Sequence, residues 1–143
     1  MDKYDGIRRG KMVTDPIGDL FTRIRNASRA GHLTITVPGS GAKVRILNVL
    51  KEEGYVDRID SFKDQKGKAF VKVFLRYTQD GEPVVREVTR LSKPGRRLYK
   101  KSTEIKPFKG GLGVTLISSS SGVITDKQAR ELGVGGELLC SIF

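Results

Sequence analysis

Apolar residues in the segment TDPIGDLFTRIRNASRAGH recur at the spacing of one face of an α-helix. The members of this apolar face are Ile17, Leu20, Phe21, Ile24 and Ala27. Thr14 or Asp15 can cap the helix, Pro16 suits its first turn, and Gly31 ends it. The chain therefore opens with an amphipathic helix whose apolar side belongs against a core and whose polar side faces outward.

The next segments predict a small sheet and a second helix. LTITV is a short β-branched run, and SGAKVRILNVLKEEG has helical periodicity. YVDRIDSF and AFVKVFLRY follow as two strands of a hairpin, joined by the turn-forming KDQKG. In the second of these strands Val71, Val73, Leu75 and Tyr77 share one face. We therefore expect two helices on a three-stranded sheet.

The second half of the sequence is largely β in character. PVVREVTRLS, VTLI and ELLCSIF read as strands, and in SKPGRR the pair Pro94 and Gly95 suits a type II turn. One short helix is predicted over TDKQARELG, where Thr125 and Gln128 form a capping box and Gly133 ends the helix.

A boundary between two domains is predicted at the turn TQDGE, because a strongly basic window begins just after it. We expect an α+β fold of two small domains. Residues 12–79 form an N-terminal α/β domain with two helices on a small three-stranded sheet. Residues 80–143 form a C-terminal, mainly β domain with one short helix, and residues 1–11 form an N-terminal extension.

Positive charge is concentrated in one part of the sequence. The chain has 27 Lys and Arg residues against 16 Asp and Glu, which gives a net charge of +11 and a pI near 10.0. Nine basic and two acidic residues lie between Arg86 and Lys109, so this window carries +7 of the +11. A local excess of this size predicts a polyanionic partner, and nucleic acid in particular.

Patterns typical of catalytic and metal sites are absent from the sequence. His32 is the only histidine, Cys140 is the only cysteine, and no G-x-S-x-G motif surrounds the serines near residue 120. VPGSGAKV has the wrong glycine spacing for a phosphate-binding loop and reads as an ordinary helix-capping turn. We therefore expect no enzyme, no catalytic residue, no cofactor and no metal.

A membrane partner is not expected either. No apolar run approaches the roughly 18 residues that a membrane span needs. A module that adheres to a membrane surface would have to use the first helix, whose apolar side is already explained by packing in a core. The single cysteine fits a reducing compartment.

Four consecutive serines, Ser118 to Ser121, precede a glycine at a sharp turn. Hydroxyl groups both donate and accept hydrogen bonds, so this turn suits the reading of RNA base edges, 2′-hydroxyls and phosphates. In GVGGE, Gly135 and Gly136 free backbone groups for contact, and Glu137 can accept a base or ribose proton. Arginine and lysine would supply affinity through phosphate contacts, and the serines and glycines would supply specificity.

The long motifs TDPIGDLFTRIRNA, VPGSGAKVRILNVLKEEGY, RLSKPGRRLYKK and GLGVTLISSSSGVITDKQARELGVGGELLC follow one another in this order. Together they resemble the bacterial-type small-subunit ribosomal protein eight family over nearly all of Met12 to Phe143. The resemblance implies a structural protein that binds an irregular helix in the central domain of small-subunit ribosomal RNA, beside neighbouring small-subunit ribosomal proteins. It also implies repression of its own operon through its messenger RNA. The implied location is a cytoplasmic ribosome, with an organellar ribosome left open.

The resemblance further implies which residues contact RNA. The N-terminal half and the basic window contribute Thr14, Asp15, Arg23, Arg25, Asn26, Lys43, Lys93, Arg97 and Tyr99. The C-terminal segments contribute Ser118, Ser119, Ser120, Ser121, Gly135, Gly136 and Glu137. Lysine is usual in the family where this chain has Gly41 and Ser121, and Lys43 is the candidate substitute at the first of these places. An RNA-processing or modification factor that uses the same basic surface remains the alternative.

Overall fold

The computed structural model describes residues 15–143. Within this range the chain forms three α-helices: α1 (Pro16–Ala30), α2 (Gly41–Glu52) and α3 (Asp126–Leu132). The first four strands are β1 (Thr34–Pro38), β2 (Val56–Lys63), β3 (Ala69–Leu75) and β4 (Val88–Arg90). The other four are β5 (Tyr99–Lys100), β6 (Val114–Ser119), β7 (Gly122–Thr125) and β8 (Gly136–Ile142). The predictions for residues 1–11 and for Thr14 lie outside the described residues.

The helix ends follow from local side-chain chemistry. Asp15 is the N-cap of α1 and accepts a hydrogen bond from the Gly18 N–H at 3.0 Å. Gly31 ends α1 in the left-handed region with φ 76°, which a residue with a Cβ adopts only at a cost. α3 has the predicted capping box of Thr125 and Gln128. These boundaries were predictable because each depends only on residues within one turn.

A three-stranded antiparallel sheet, in the order β1-β3-β2, packs one of its faces against the first two helices. Val37, Val71, Val73 and Leu75 are buried on this inner face, so the predicted alternation of β3 is confirmed. Tyr77 lies beyond the end of β3, where it forms an isolated bridge with Pro83 and packs partly buried against the core. The other face of the sheet points outward.

The second sheet is built around β8. Its order is β4-β8-β6-β7, all pairs are antiparallel, and β5 also pairs with β8, close to the beginning of that strand. Of the predicted strand PVVREVTRLS only Val88–Arg90 forms a regular ladder, because the following Leu91 and Ser92 bond irregularly to the β8 carbonyls of Leu139 and Leu138.

The turn at Pro94 and Gly95 differs from the prediction. A type II turn needs a positive φ at its third residue, and Gly95 has its φ outside that range. Lys93 and Arg96 exchange two backbone hydrogen bonds of 2.9 Å across the turn. The prediction of a type II turn was wrong because proline at the second position fixes φ equally well for a type I turn.

Both halves of the chain contribute to the main hydrophobic core. Leu20 and Leu47 from the first two helices belong to the same buried cluster as Leu116 and Leu139 from the second sheet. The hydroxyl of the buried Tyr55 also donates to the Ile142 carbonyl at 3.4 Å. A smaller cluster lies beside α3 and contains Ile105, Ile117, Ile124, Ala129 and Leu138. The α+β fold is thus confirmed, while the division at residues 79 and 80 stays a prediction.

Candidate nucleic-acid interface

The four serines span the end of β6 and the tight turn to β7. Ser120 and Ser121 are the two turn residues, and Gly122 follows with φ 98°. The Ser119 hydroxyl donates to the Gly122 carbonyl at 3.0 Å and accepts from the Ser121 N–H at 3.1 Å, so it stabilises the turn itself. Ser118, Ser120 and Ser121 are exposed. The turn therefore presents three of its four hydroxyl-bearing side chains to solvent and uses the remaining one internally.

Strand register places three predicted contact residues in one row. Glu137 on β8 lies opposite Tyr99 on β5 and opposite Ser118 on β6. Side chains of directly opposed residues share a face of the sheet and lie about 5 Å apart. Arg97 joins this row, because its Nη1 donates to Glu137 Oε2 at 3.1 Å. Tyr99 is 65% exposed, so its ring is available for stacking.

Gly135 and Gly136 are required by backbone packing. A Cβ at Gly135 would lie 2.3 Å from the Lys100 carbonyl oxygen, and a Cβ at Gly136 would lie 2.2 Å from that of Ser118. Both distances are far below any normal contact. The two glycines therefore let β8 run close to β5 on one side and to β6 on the other, which creates the row described above.

A cleft of about 330 Å³ lies between the serine turn and α2. Ser118, Ser119, Ser120 and Glu137 line one side of it, and Arg45 of α2 lines the other. Arg45 is exposed, and the sequence had not singled it out. Helical periodicity places it outside the apolar face of α2, but only the packing of α2 beside the second sheet brings it to the serines.

Lys43 has a structural position. Lys43 is only 8% exposed, and its Nζ donates a hydrogen bond to the Pro38 carbonyl at 3.1 Å. Its backbone N–H donates to Ser40 Oγ at 3.2 Å, which begins α2 as the sequence predicted. The Lys43 ammonium is thus committed to the loop between β1 and α2, and its contact with RNA stays a prediction.

Asp15 connects α1 to the second sheet. Arg90 on β4 donates to both of its carboxylate oxygens, at 3.0 and 3.3 Å, and to the Leu139 carbonyl at 2.6 Å. Burial alone would raise the pKa of the Asp15 carboxyl. Hydrogen bonds from Arg90 and from the Gly18 N–H, with the positive charges of Arg90 and Arg97, hold this pKa below its ordinary value of 3.8.

The other predicted residues of α1 lie away from the serine turn. Arg23 is exposed and pairs with Asp19 at 3.0 Å, and Arg23 and Asn26 line a separate cleft beside His32. Arg25 is partly buried, and its Nε has no hydrogen-bond partner among residues 15–143. Lys93 is exposed at the turn that precedes Arg97. The structure therefore groups the C-terminal candidates and places Arg23 and Asn26 at a separate cleft.

Chemistry typical of an enzyme has no support in the part of the chain that the structure describes. Within that part, no group of three or more His, Cys, Asp or Glu side chains could hold a metal ion, and no helix is both long and apolar enough to cross a membrane. Cys140 is fully buried in β8, and burial raises the pKa of its thiol. Fold and composition together define a basic protein of the α+β class.

Comparison with known proteins identifies its family. The profile of the family described as "Ribosomal protein S8" matches residues 15–143. The "Small ribosomal subunit protein uS8" of Geotalea uraniireducens is 47% identical over 92% of this chain and 98% of its own length. Those of Syntrophus aciditrophicus and Alkalilimnicola ehrlichii are 48% and 50% identical over the same shares. The chain belongs to the ribosomal protein S8 family.

Family membership confirms several predictions. The protein is a structural component of the small ribosomal subunit and not an enzyme. Ribosomal RNA and other ribosomal proteins are its partners as a member of this family. Because its relatives are bacterial, its location is the cytoplasmic ribosome.

Proposed function

We propose that the protein binds directly to the central domain of small-subunit ribosomal RNA and is needed early in the assembly of that domain. The observation that carries this proposal is the row of Tyr99, Glu137 and Ser118 across three strands, with Arg97 at its edge and the exposed serines beside it. An aromatic ring, a carboxylate, a guanidinium group and hydroxyls on one surface are the groups that read an irregular RNA helix.

Each part of this surface has a distinct task. Ser118 and Ser120 are exposed and neutral, so they contribute hydrogen bonds that depend on the shape and sequence of the RNA. Lys93 and Lys100 are exposed cations of the basic window and contact phosphates. Glu137 holds Arg97 in place through their 3.1 Å ion pair and keeps a second carboxylate oxygen for a base or ribose proton. Arg45 supplies a phosphate contact from the α2 side of the cleft.

The same surface supports the proposal that the protein represses its own operon. A messenger RNA helix that presents the same backbone shape and unpaired bases would meet the same row of groups. Ribosomal RNA and messenger RNA would then compete for one site, so repression would begin only when the ribosomal RNA is fully occupied. Competition between the two RNA fragments for the purified protein tests this part of the proposal.

The central test is a double substitution of the exposed serines. Ser118→Ala with Ser120→Ala should lower affinity for a central-domain RNA fragment about thirtyfold, because two hydrogen bonds of about 1 kcal/mol each are lost. The dependence of binding on salt should not change, because no charge is removed. Ser119 is left intact, since its hydroxyl stabilises the turn.

Two further variants make this test specific. Thr103→Ala removes an exposed hydroxyl away from the turn and should have no effect. Lys100→Ala should weaken binding to cognate and scrambled helices alike and reduce the salt slope by about one. If the serine variant lost affinity equally for the cognate and the scrambled helix, the serines would not be reading the RNA.

A further inference from the structure

Aromatic and basic side chains alternate on the outer face of the first sheet. Phe70 on β3 lies opposite Phe62 on β2 and Pro38 on β1, whereas Phe74 lies opposite Arg58 and Thr34. The inner face of the same strands carries the buried valines described above, so these residues all point the other way. Phe62 is 44% exposed. Large apolar rings on the outward face of a sheet suggest a binding surface.

Cations lie over these rings. The Arg58 guanidinium carbon is 4.0 Å from the centre of the Phe74 ring, and the Lys72 ammonium is 5.3 Å from it. The Lys68 ammonium is 5.5 Å from the centre of the Phe70 ring. Asp60 pairs with Arg58 at 3.5 Å and lies opposite Lys72 in the ladder. The face is therefore both aromatic and positively charged.

Phe62 and Phe70 also border a cleft. Their rings stack with centroids 5.8 Å apart and planes inclined by 21°. The cleft beside them has a volume of about 570 Å³, which falls within the range of small-ligand sites. Val44 and Val71 contribute apolar walls, and Arg45 and Lys63 contribute positive charge.

We propose that this face, the Phe62 platform (Arg58, Phe62, Lys68, Phe70, Lys72 and Phe74), binds unpaired RNA bases. Bases stack on aromatic rings and on arginine planes, and phosphates pair with the interleaved cations. Charge complementarity favours a polynucleotide, because three cations lie directly over the rings and only one of these cations, Arg58, is paired with a carboxylate among the described residues. A helical RNA segment would not fill the cleft, since its bases are already stacked on one another.

The platform is continuous with the RNA surface proposed above. Arg45 lines both the cleft beside Phe62 and the cleft beside the serine turn. An RNA strand that leaves the serine turn unpaired can therefore pass Arg45 and reach Phe62. In this respect the inference rests on the proposed function, because it takes the polyanion at the serine turn to be RNA.

The experiment uses the full-length protein and two probes of equal length: an oligouridine RNA octamer and an octamer with the same phosphates but no bases. The unsubstituted protein should bind the octamer with bases more tightly. Phe62→Ala should lower affinity for it about tenfold, as expected for the loss of one stacked base. Phe62→Trp should preserve binding, and octamer addition should quench its fluorescence, which is the only tryptophan signal in the chain.

Leu132→Ala is the matched control, since Leu132 is a 60% exposed apolar residue on α3, away from the platform. Equal affinity for the two octamers would show simple attraction between charges and overturn the inference. Octamer binding that does not depend on Phe62 would also overturn the inference. The platform would then be left as a contact for a neighbouring protein. Binding of the central-domain helix is measured in parallel. If that binding depended on Ser118 while octamer binding did not depend on Phe62, this inference would be overturned and the proposed function would stand.

Discussion

Asp15 performs two structural tasks at the scale of a single residue. It caps α1 by accepting from the Gly18 N–H, and it receives a forked contact from Arg90, which is 75 residues further along the chain. A Cβ at Gly18 would lie 2.2 Å from an Asp15 carboxylate oxygen, so the glycine makes room for this arrangement. The cap was predictable from the adjacent sequence, whereas the contact with Arg90 depends on how the two sheets pack.

The charge of Asp15 should therefore contribute to stability in a pH-dependent way. Because its pKa in the folded state lies below 3.8, the carboxylate stabilises the fold at neutral pH, and this contribution is lost as the pH falls below that value. At pH 7, Asp15→Asn, which keeps the cap, should lower the free energy of unfolding by about 2 kcal/mol. Urea unfolding of both proteins at several pH values checks this. A difference that stayed constant down to pH 3 would contradict it.

At the scale of elements, β8 organises the second sheet. β4 and β5 pair with one of its edges and β6 with the other. The two-residue strand β5 has too few residues for any periodicity, so its pairing with β8 was not predictable from the sequence. The helices and the hairpin of β2 and β3 were predictable, because their caps, turns and apolar periods are local features.

Gly136→Ala tests how strongly β8 depends on close backbone contact. The added methyl group would clash with the Ser118 carbonyl. Because φ at Gly136 is not positive, alanine adopts this backbone conformation without strain, so the substitution tests only the steric contact. We expect a loss of about 1–3 kcal/mol in the free energy of unfolding, together with weaker binding to the RNA fragment. Gly95→Ala is the matched control, because nothing lies within 4 Å of its added methyl group. Equal stability of both variants in urea would show that the sheet tolerates a wider spacing.

At the scale of the whole molecule, the main core extends across the predicted domain boundary. Leu20 and Leu47 precede the boundary, and Leu116 and Leu139 follow it, within one buried cluster. The sequence indicated a boundary because a turn coincides with a change in charge. Neither feature carries information on how the apolar surfaces of the two halves pack together. Arg45 illustrates the same limit for the candidate site, since its position beside the serines depends on the packing of the two halves.

A shared core should make unfolding a single transition. Leu116→Ala, at a fully buried position, should lower stability by about 2–5 kcal/mol. Far-UV circular dichroism and tyrosine fluorescence should still report one coincident urea transition. The exposed Leu132→Ala should change stability by less than about 0.5 kcal/mol. Two separate transitions would instead support independent domains over residues 12–79 and 80–143.

The position of β8 also has a consequence for synthesis of the chain. Among the eight described strands it is the last to be translated, although it occupies the middle of its sheet. Before it emerges from the synthesising ribosome, β4 and β5 lack a partner, and Tyr99 and Ser118 have no strand between them to align them. A nascent or prematurely terminated chain therefore cannot present the row of Tyr99, Glu137 and Ser118, so binding at the proposed serine surface would require a chain translated through β8.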